Sequence, residues 1–196
     1  MKNSIRSLRF FGLITLVVYW CFTIISISQN SWFSVMHNAL SDLGANNANA
    51  PWLYNYGLIL SFPFLFIFSI YLLHIAINKL QIIGGAFIMI SSVFLAFIGI
   101  FHSGTRPHGF VSTYFFLQFF FGMFIFGIAT EKLRIASIVL FALSWLGAFL
   151  PWPSVATLEI YEISIIGVFV ILIALLNPEK LANIERSLQS QEIRWM

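Results

Sequence analysis

Long apolar runs of about 20 residues follow one another along the chain, separated by short polar connections. An α-helix of this length crosses the hydrocarbon core of a bilayer. The pattern therefore predicts six transmembrane helices, at about 8–28, 53–77, 82–102, 110–130, 133–151 and 160–176.

The composition supports this interpretation, since hydrophobic types make up 60% of the 196 residues and charged types only 9%. Soluble domains carry about a quarter charged residues, so most of this surface must face lipid. The ten Lys and Arg residues stand near the ends of the runs and form no patch, which argues against nucleic acid as a partner. The predicted fold class is an all-α polytopic transmembrane helical bundle.

The distribution of basic residues predicts the orientation. With six spans, nine of the ten Lys and Arg residues fall on one side and only Arg106 on the other. Cytoplasmic loops carry the excess of basic residues, so both termini should be cytoplasmic in a protein of the cell membrane. The predicted division is a transmembrane domain at 1–176 and a partly helical cytoplasmic tail at 177–196, which lies along the membrane interface.

The predicted extracytoplasmic loops hold most of the polar chemistry. They carry three of the four histidines and five other candidate side chains: His37, His102, His108, Ser41, Asp42, Arg106, Glu159 and Glu162. In the first loop, the segment WFSVMHNALSDLG has the spacing of a short amphipathic helix. On such a helix His37 and Ser41 would share one face, and Asn38 and Asp42 another.

These residue types suggest two kinds of reactive site. Zinc takes three or four nitrogen or oxygen ligands, which His37, His102, His108 and Asp42 could supply, but their spacing matches no zinc motif. A hydrolase would use His37, Asp42 and His108 as catalytic residues. Ser41 with His37 as its base is a weaker version, because the pair lacks a nucleophile-elbow signature. No cofactor is predicted, and zinc is the metal left open.

A binding role for the same side chains is the competing interpretation. Asp42 is expected to pair with Arg106 or a histidine, because a carboxylate at the membrane boundary needs a partner. Arg106, His102 and His108 could then bind a phosphate or sulfate headgroup. The favoured interpretation of the histidines is that they are interfacial polar residues that bond to each other, to Arg106 or to backbone carbonyls.

Two segments resemble domain-of-unknown-function family 998, a family of small archaeal and bacterial multi-pass membrane proteins. The first is HNALSDLGANNANAPWLYNYGLIL, where Ser41–Gly44 and Tyr54-Asn55 match the family pattern. The second is Gly99–Phe101 ahead of a short loop with His108, although His102 stands where the pattern suggests proline. The Ser41–Gly44 loop also resembles, more weakly, that of Frag/DRAM-type membrane proteins. The resemblance implies no activity.

Three functions remain open at this stage. The favoured one is a non-enzymatic accessory or assembly subunit that docks a partner subunit or a lipid headgroup through its extracytoplasmic loops. The alternative is a membrane-embedded lipid-modifying hydrolase acting at the outer leaflet. A transporter or channel is the least favoured, because no predicted span carries an acidic or basic residue near its middle. The expected partners are membrane lipid and other membrane subunits.

Overall fold

The structure is a computed structural model and describes residues 2–176. Within this range the chain is all helical, with seven α-helices and three short 3-10 helices. The α-helices are α1 (Lys2–Ser7), α2 (Phe11–Gln29), α3 (Pro51–Ile75), α4 (Lys79–Ile100), α5 (His108–Ile128), α6 (Arg134–Phe149) and α7 (Val155–Leu176). The 3-10 helices are Leu8–Phe10, Leu40–Gly44 and Glu131–Leu133. The tail predicted at 177–196 lies outside the described residues.

Six helical stretches are long and apolar enough to cross a membrane, which confirms the predicted number of spans. They are Ile5–Gln29, Pro51–Ile75, Lys79–Ile100, His108–Ile128, Glu131–Phe149 and Val155–Leu175. The first five agree with the predicted runs to within three residues at each end. The sixth begins five residues earlier than the predicted 160.

The early start of α7 corrects the placement of Glu159 and Glu162 in a loop. Ser154 caps the helix, because its hydroxyl accepts a hydrogen bond from the Thr157 backbone N–H at 3.1 Å. The Thr157 hydroxyl in turn accepts from the Ser154 backbone N–H at 3.2 Å. Both glutamates therefore lie within the first eight residues of a membrane-spanning helix.

Consecutive helices pack side by side, most extensively α2 with α3, α3 with α4 and α4 with α5. Helix α7 contacts α2, α5 and α6, so the last span closes the bundle against the first. Helices α4 and α5 approach closely at Gly84 and Gly122. A Cβ atom on Gly84 would lie 2.5 Å from the Phe126 backbone nitrogen and 2.8 Å from the Gly122 carbonyl oxygen. Small residues permit this close approach of backbones.

The two ends of the bundle differ in structure. One end, formed by residues 30–50, 101–107 and 150–154, is the loop end of the bundle. The other, formed by the short connections 76–78 and 129–133 and the N-terminal segment, is the basic end. There the Gln81 side chain donates to the Ala129 carbonyl at 3.0 Å and accepts from the Ile77 N–H at 2.8 Å. This amide joins two connections, so the basic end is held tightly and offers no large loop.

Candidate functional site

The longest loop, residues 30–50, is held closed by the buried side chain of Asn30. Its amide nitrogen donates to the carbonyl oxygens of Ser26 at 2.8 Å and Asn49 at 3.0 Å. Its amide oxygen accepts from the Asn49 backbone N–H at 2.7 Å and from the Trp32 indole at 3.0 Å. The two ends of the loop are therefore joined just above α2, and the residues between them fold back over the bundle.

The amphipathic helix predicted in this loop is wrong. Residues 31–39 form turns, and only Leu40–Gly44 makes a single 3-10 helix. The Asn38 side chain accepts from the Ser34 backbone N–H at 2.8 Å, and Asp42 accepts from the Ala39 N–H at 2.9 Å. Such local bonds compete with helical ones. As a result His37 is exposed while Ser41 is buried, and the two do not share a helix face.

Asp42 connects the first loop to the 101–107 segment, but through a residue that the sequence did not single out as a site. Its second carboxylate oxygen accepts from the Ser103 hydroxyl at 3.3 Å. Arg106 is exposed, and among the described residues the carboxylate of Asp42 bonds to Ala39 and Ser103 rather than to Arg106 or a histidine. In the sequence, Ser103 was marked only as a small hydroxyl residue in the second predicted extracytoplasmic loop.

The predicted histidine cluster does not form. The His102 Nδ1 lies 2.9 Å from the Ser103 carbonyl oxygen, and the His108 Nδ1 lies 2.8 Å from the Phe101 carbonyl oxygen. These two rings thus bond to backbone carbonyls, as the interfacial interpretation expected. Within residues 2–176 no three His, Cys, Asp or Glu side chains gather as a metal ion would require. The side chains considered for zinc, His37, His102, His108 and Asp42, are therefore not brought together in this part of the chain.

Helix α7 holds the first loop through three hydrogen bonds. The Ser154 hydroxyl donates to the Val35 carbonyl at 2.5 Å, and the Ala156 N–H donates to the Asn38 carbonyl at 2.9 Å. Glu159 accepts from the Leu40 backbone N–H at 2.6 Å. The carboxylate of Glu159 thus points towards the loop from inside the bundle. It accepts the hydrogen bond of the Leu40 backbone N–H, which needs an acceptor within the protein because Leu40 is buried.

A cavity of about 60 Å³, the central cavity, lies between α2, α3, α4, α5 and α7 beneath this loop. Its walls are mostly buried apolar side chains, among them Leu58, Leu65, Leu95, Phe115, Ile163 and Val170. Most polar groups collect towards the loop end (Ser41, Tyr54, His108, Ser112 and Glu159), while Thr15 and Tyr19 line the wall along α2. From Glu159 to Val170 the lining extends about 16 Å along α7, at the rise of an α-helix. The cavity is therefore long, narrow and polar at one end.

Six apolar helices, five of which surround this cavity, define the class, a multi-pass α-helical membrane protein. The chain belongs to the family described as protein of unknown function (DUF998), whose profile matches residues 13–176. This match confirms the resemblance expected from the Ser41–Gly44 and Gly99–Phe101 segments. The resemblance to Frag/DRAM-type proteins finds no such support. No curated protein and no solved structure matches the chain.

Proposed function

We propose that the protein is a non-enzymatic membrane protein that binds a single-chain amphiphile of the membrane. The observation that carries the proposal is the central cavity, whose apolar walls end in polar groups beneath the Leu40–Gly44 turn. Ligand pockets generally combine apolar walls with a few convergent polar groups. The enclosed volume of about 60 Å³ accommodates only a few methylene groups, less than half of the roughly 150 Å³ that holds benzene. The lining helices must therefore separate to admit one unbranched hydrocarbon chain, with its head towards the loop.

The polar end indicates which headgroup would fit. Ser41 supplies a hydroxyl, His108 retains its Nε2 beyond the Phe101 contact, and Glu159 retains one carboxylate oxygen beyond the Leu40 bond. Among the described residues that line the cavity, none is Lys or Arg. A phosphate or sulfate would meet the Glu159 carboxylate with no Lys or Arg to offset the repulsion. We therefore expect an uncharged hydroxyl or amide head rather than an anionic one.

Filling the cavity tests the proposal. Leu58→Trp places a large ring at a position only 3% exposed, whereas Leu60→Trp adds the same ring on the same helix at a position 47% exposed. Native mass spectrometry and lipid extraction of the purified protein should find a single-chain amphiphile on the wild type and on Leu60→Trp. Leu58→Trp should lose it. A wild type that carries none, or equal amounts on both variants, would contradict the proposal.

The orientation belongs to the same proposal: the loop end faces out of the cell and both termini face the cytoplasm. The support for this orientation is the charge asymmetry, because nine Lys and Arg residues fall on the predicted cytoplasmic side and only Arg106 on the other. In a Cys21→Ser background, Asn47→Cys and Lys79→Cys place single thiols at exposed positions on opposite ends. A membrane-impermeant maleimide should label position 47 in intact cells, and position 79 only after permeabilisation. The opposite pattern would reverse the topology.

Docking of a partner subunit stays a prediction. His37 and Arg106 are exposed side chains of the loop end, where a partner or a lipid headgroup at the membrane surface would meet them. Substituting both with alanine should leave the amphiphile in the central cavity, because neither residue lines it. Co-purification of a subunit with the wild type but not with this double variant would support the accessory role.

A lipid hydrolase remains the second candidate, because Ser41 and His108 line the same cavity. Of the predicted catalytic residues, His108 alone does so, while His37 and Asp42 lie outside the lining. Turnover of a bound ester or amide by the wild type, lost in Ser41→Ala with the bound amphiphile retained, would favour the enzyme. Recovery of the amphiphile unchanged from both would favour binding alone.

A further inference from the structure

A second space lies on the other side of Glu159, between α5, α6 and α7, and is separate from the predicted loop site. This aromatic groove has a volume of about 300 Å³. Its walls include the rings of Phe116, Phe120, Phe121, Phe141 and Trp145. Phe121 is 37% and Trp145 41% exposed, so the groove opens on the side surface of the bundle that faces lipid.

One acidic side chain in this groove has no hydrogen-bond or ion-pair partner among the described residues. Glu162 lines the groove about 10 Å along α7 from Val155. No other described residue donates a hydrogen bond to its carboxylate or forms an ion pair with it. Glu159 also lines the groove, but it bonds to the Leu40 N–H. An ionisable side chain within a span normally pairs with another group, and a cationic ligand in the groove would supply that partner for Glu162.

The walls specify the chemistry of that ligand. The faces of phenylalanine and tryptophan rings attract cations, most strongly where water is excluded. Phe121 packs against both Phe141 and Trp145, with ring centroids 5.6 and 6.4 Å apart, so α5 and α6 present a continuous aromatic wall to the groove that Glu162 also lines. A cation with apolar substituents would satisfy both the carboxylate and the rings.

The charge of the lining residues argues against a zwitterionic phospholipid as the occupant of the groove. Among the described residues of the groove, none is Lys, Arg or His. The ammonium group of a zwitterionic phospholipid would bring its phosphate beside Glu159 and Glu162, where nothing would offset the repulsion. A cation without an attached anion avoids this cost.

We propose that the aromatic groove is a binding site for a hydrophobic organic cation. The ammonium or phosphonium charge lies beside Glu162, its apolar groups pack between the rings of α5 and α6, and it enters sideways from the lipid. The site lies on the other side of Glu159 from the central cavity and shares only Ser112, Phe116 and Glu159 with its wall, and it does not depend on the function proposed for that cavity.

Binding of tetraphenylphosphonium to the full-length protein in phosphatidylcholine nanodiscs tests this site. Glu162→Gln should weaken binding by about tenfold or more, because the attraction between opposite charges a few ångströms apart at a poorly hydrated site exceeds that factor, although the phosphonium donates no hydrogen bond. Glu131→Gln removes one negative charge from an exposed position at the basic end and should bind like the wild type. Equal affinities of the wild type and Glu162→Gln would overturn the proposal.

Three further measurements separate the alternatives. Tetraphenylborate, the anion of matched size, should not compete with the cation for the groove. If the anion competed as well as the cation, the groove would be a merely apolar surface and the proposal would be overturned. Leu58→Trp should bind the cation normally, since Leu58 lies in the other cavity; a loss of affinity in this variant would contradict the independence of the two sites. Phosphatidylethanolamine in the nanodisc should leave the affinity unchanged, whereas displacement of the cation would make lipid the occupant and refute the proposal.

Discussion

Asn55 is the residue at which the two family-like segments meet. Its side-chain amide donates to the Gly44 carbonyl at 3.0 Å, and its backbone carbonyl lies against Gly99, where a Cβ atom would come within 2.5 Å. The sequence identified Gly44, Asn55 and Gly99 as parts of a pattern. It did not show that the glycines are needed because both pack on Asn55, since those contacts join positions far apart in the chain.

Gly44→Ala should destabilise the protein at this residue. The added Cβ would lie 2.1 Å from the Asn55 Oδ1, so either the turn must shift or the Asn55 bond must break. We expect a loss of about 1–3 kcal/mol, typical of overpacking, seen as a lower melting temperature by tryptophan fluorescence in detergent.

Gly109→Ala is the matched control for that substitution, because nothing lies within 4 Å of a Cβ atom there. It should melt at or above the temperature of the wild type, since alanine favours a helix over glycine. Equal destabilisation by the two substitutions would argue against a specific contact between Gly44 and Asn55.

At the scale of elements, the loop 30–50 and helix α7 differ most from expectation. The amphipathic spacing of the loop was real, but side-chain bonds from Asn38 and Asp42 took the backbone donors that a helix would have used. The start of α7 was hidden because two glutamates lower local hydropathy. They are tolerated within a span because Glu159 bonds to the loop and Glu162 faces a groove.

Glu159→Leu should loosen the loop from α7. The substitution leaves the Leu40 N–H without its acceptor, which costs about 1–3 kcal/mol for a buried donor. Glu159→Gln keeps an acceptor and should retain most of the stability, as measured by thermal unfolding in detergent.

Glu162→Leu is the control for that element. It removes a carboxylate three residues further along α7 to which no described residue donates, so it should not lower the melting temperature. If it destabilised the protein as much as Glu159→Leu, the loss of charge rather than of the Leu40 bond would be the cause.

At the scale of the whole molecule, the bundle depends on helices that approach at small residues. Gly84→Ala would push a methyl group against the Phe126 backbone nitrogen and the Gly122 carbonyl, neither of which can rotate away. Separating α4 from α5 should lower stability by about 1–3 kcal/mol despite the better helix propensity of alanine. Gly167→Ala, whose nearest neighbour would be Leu16 at 3.6 Å, should be neutral or stabilising by the same unfolding assay.

The sequence by itself determined the number of spans, their approximate limits and the family, because apolar length and short motifs are local properties of the chain. Only the tertiary structure decided which polar residues meet. Asp42 bonds to Ser103 rather than Arg106, Glu159 bonds to Leu40, and in the described part of the chain no three histidine, cysteine or acidic side chains gather as a metal site would need. Such contacts depend on how helices pack and on which donors a loop leaves free. For the same reason the central cavity and the aromatic groove on either side of Glu159 become visible only when the six helices are assembled.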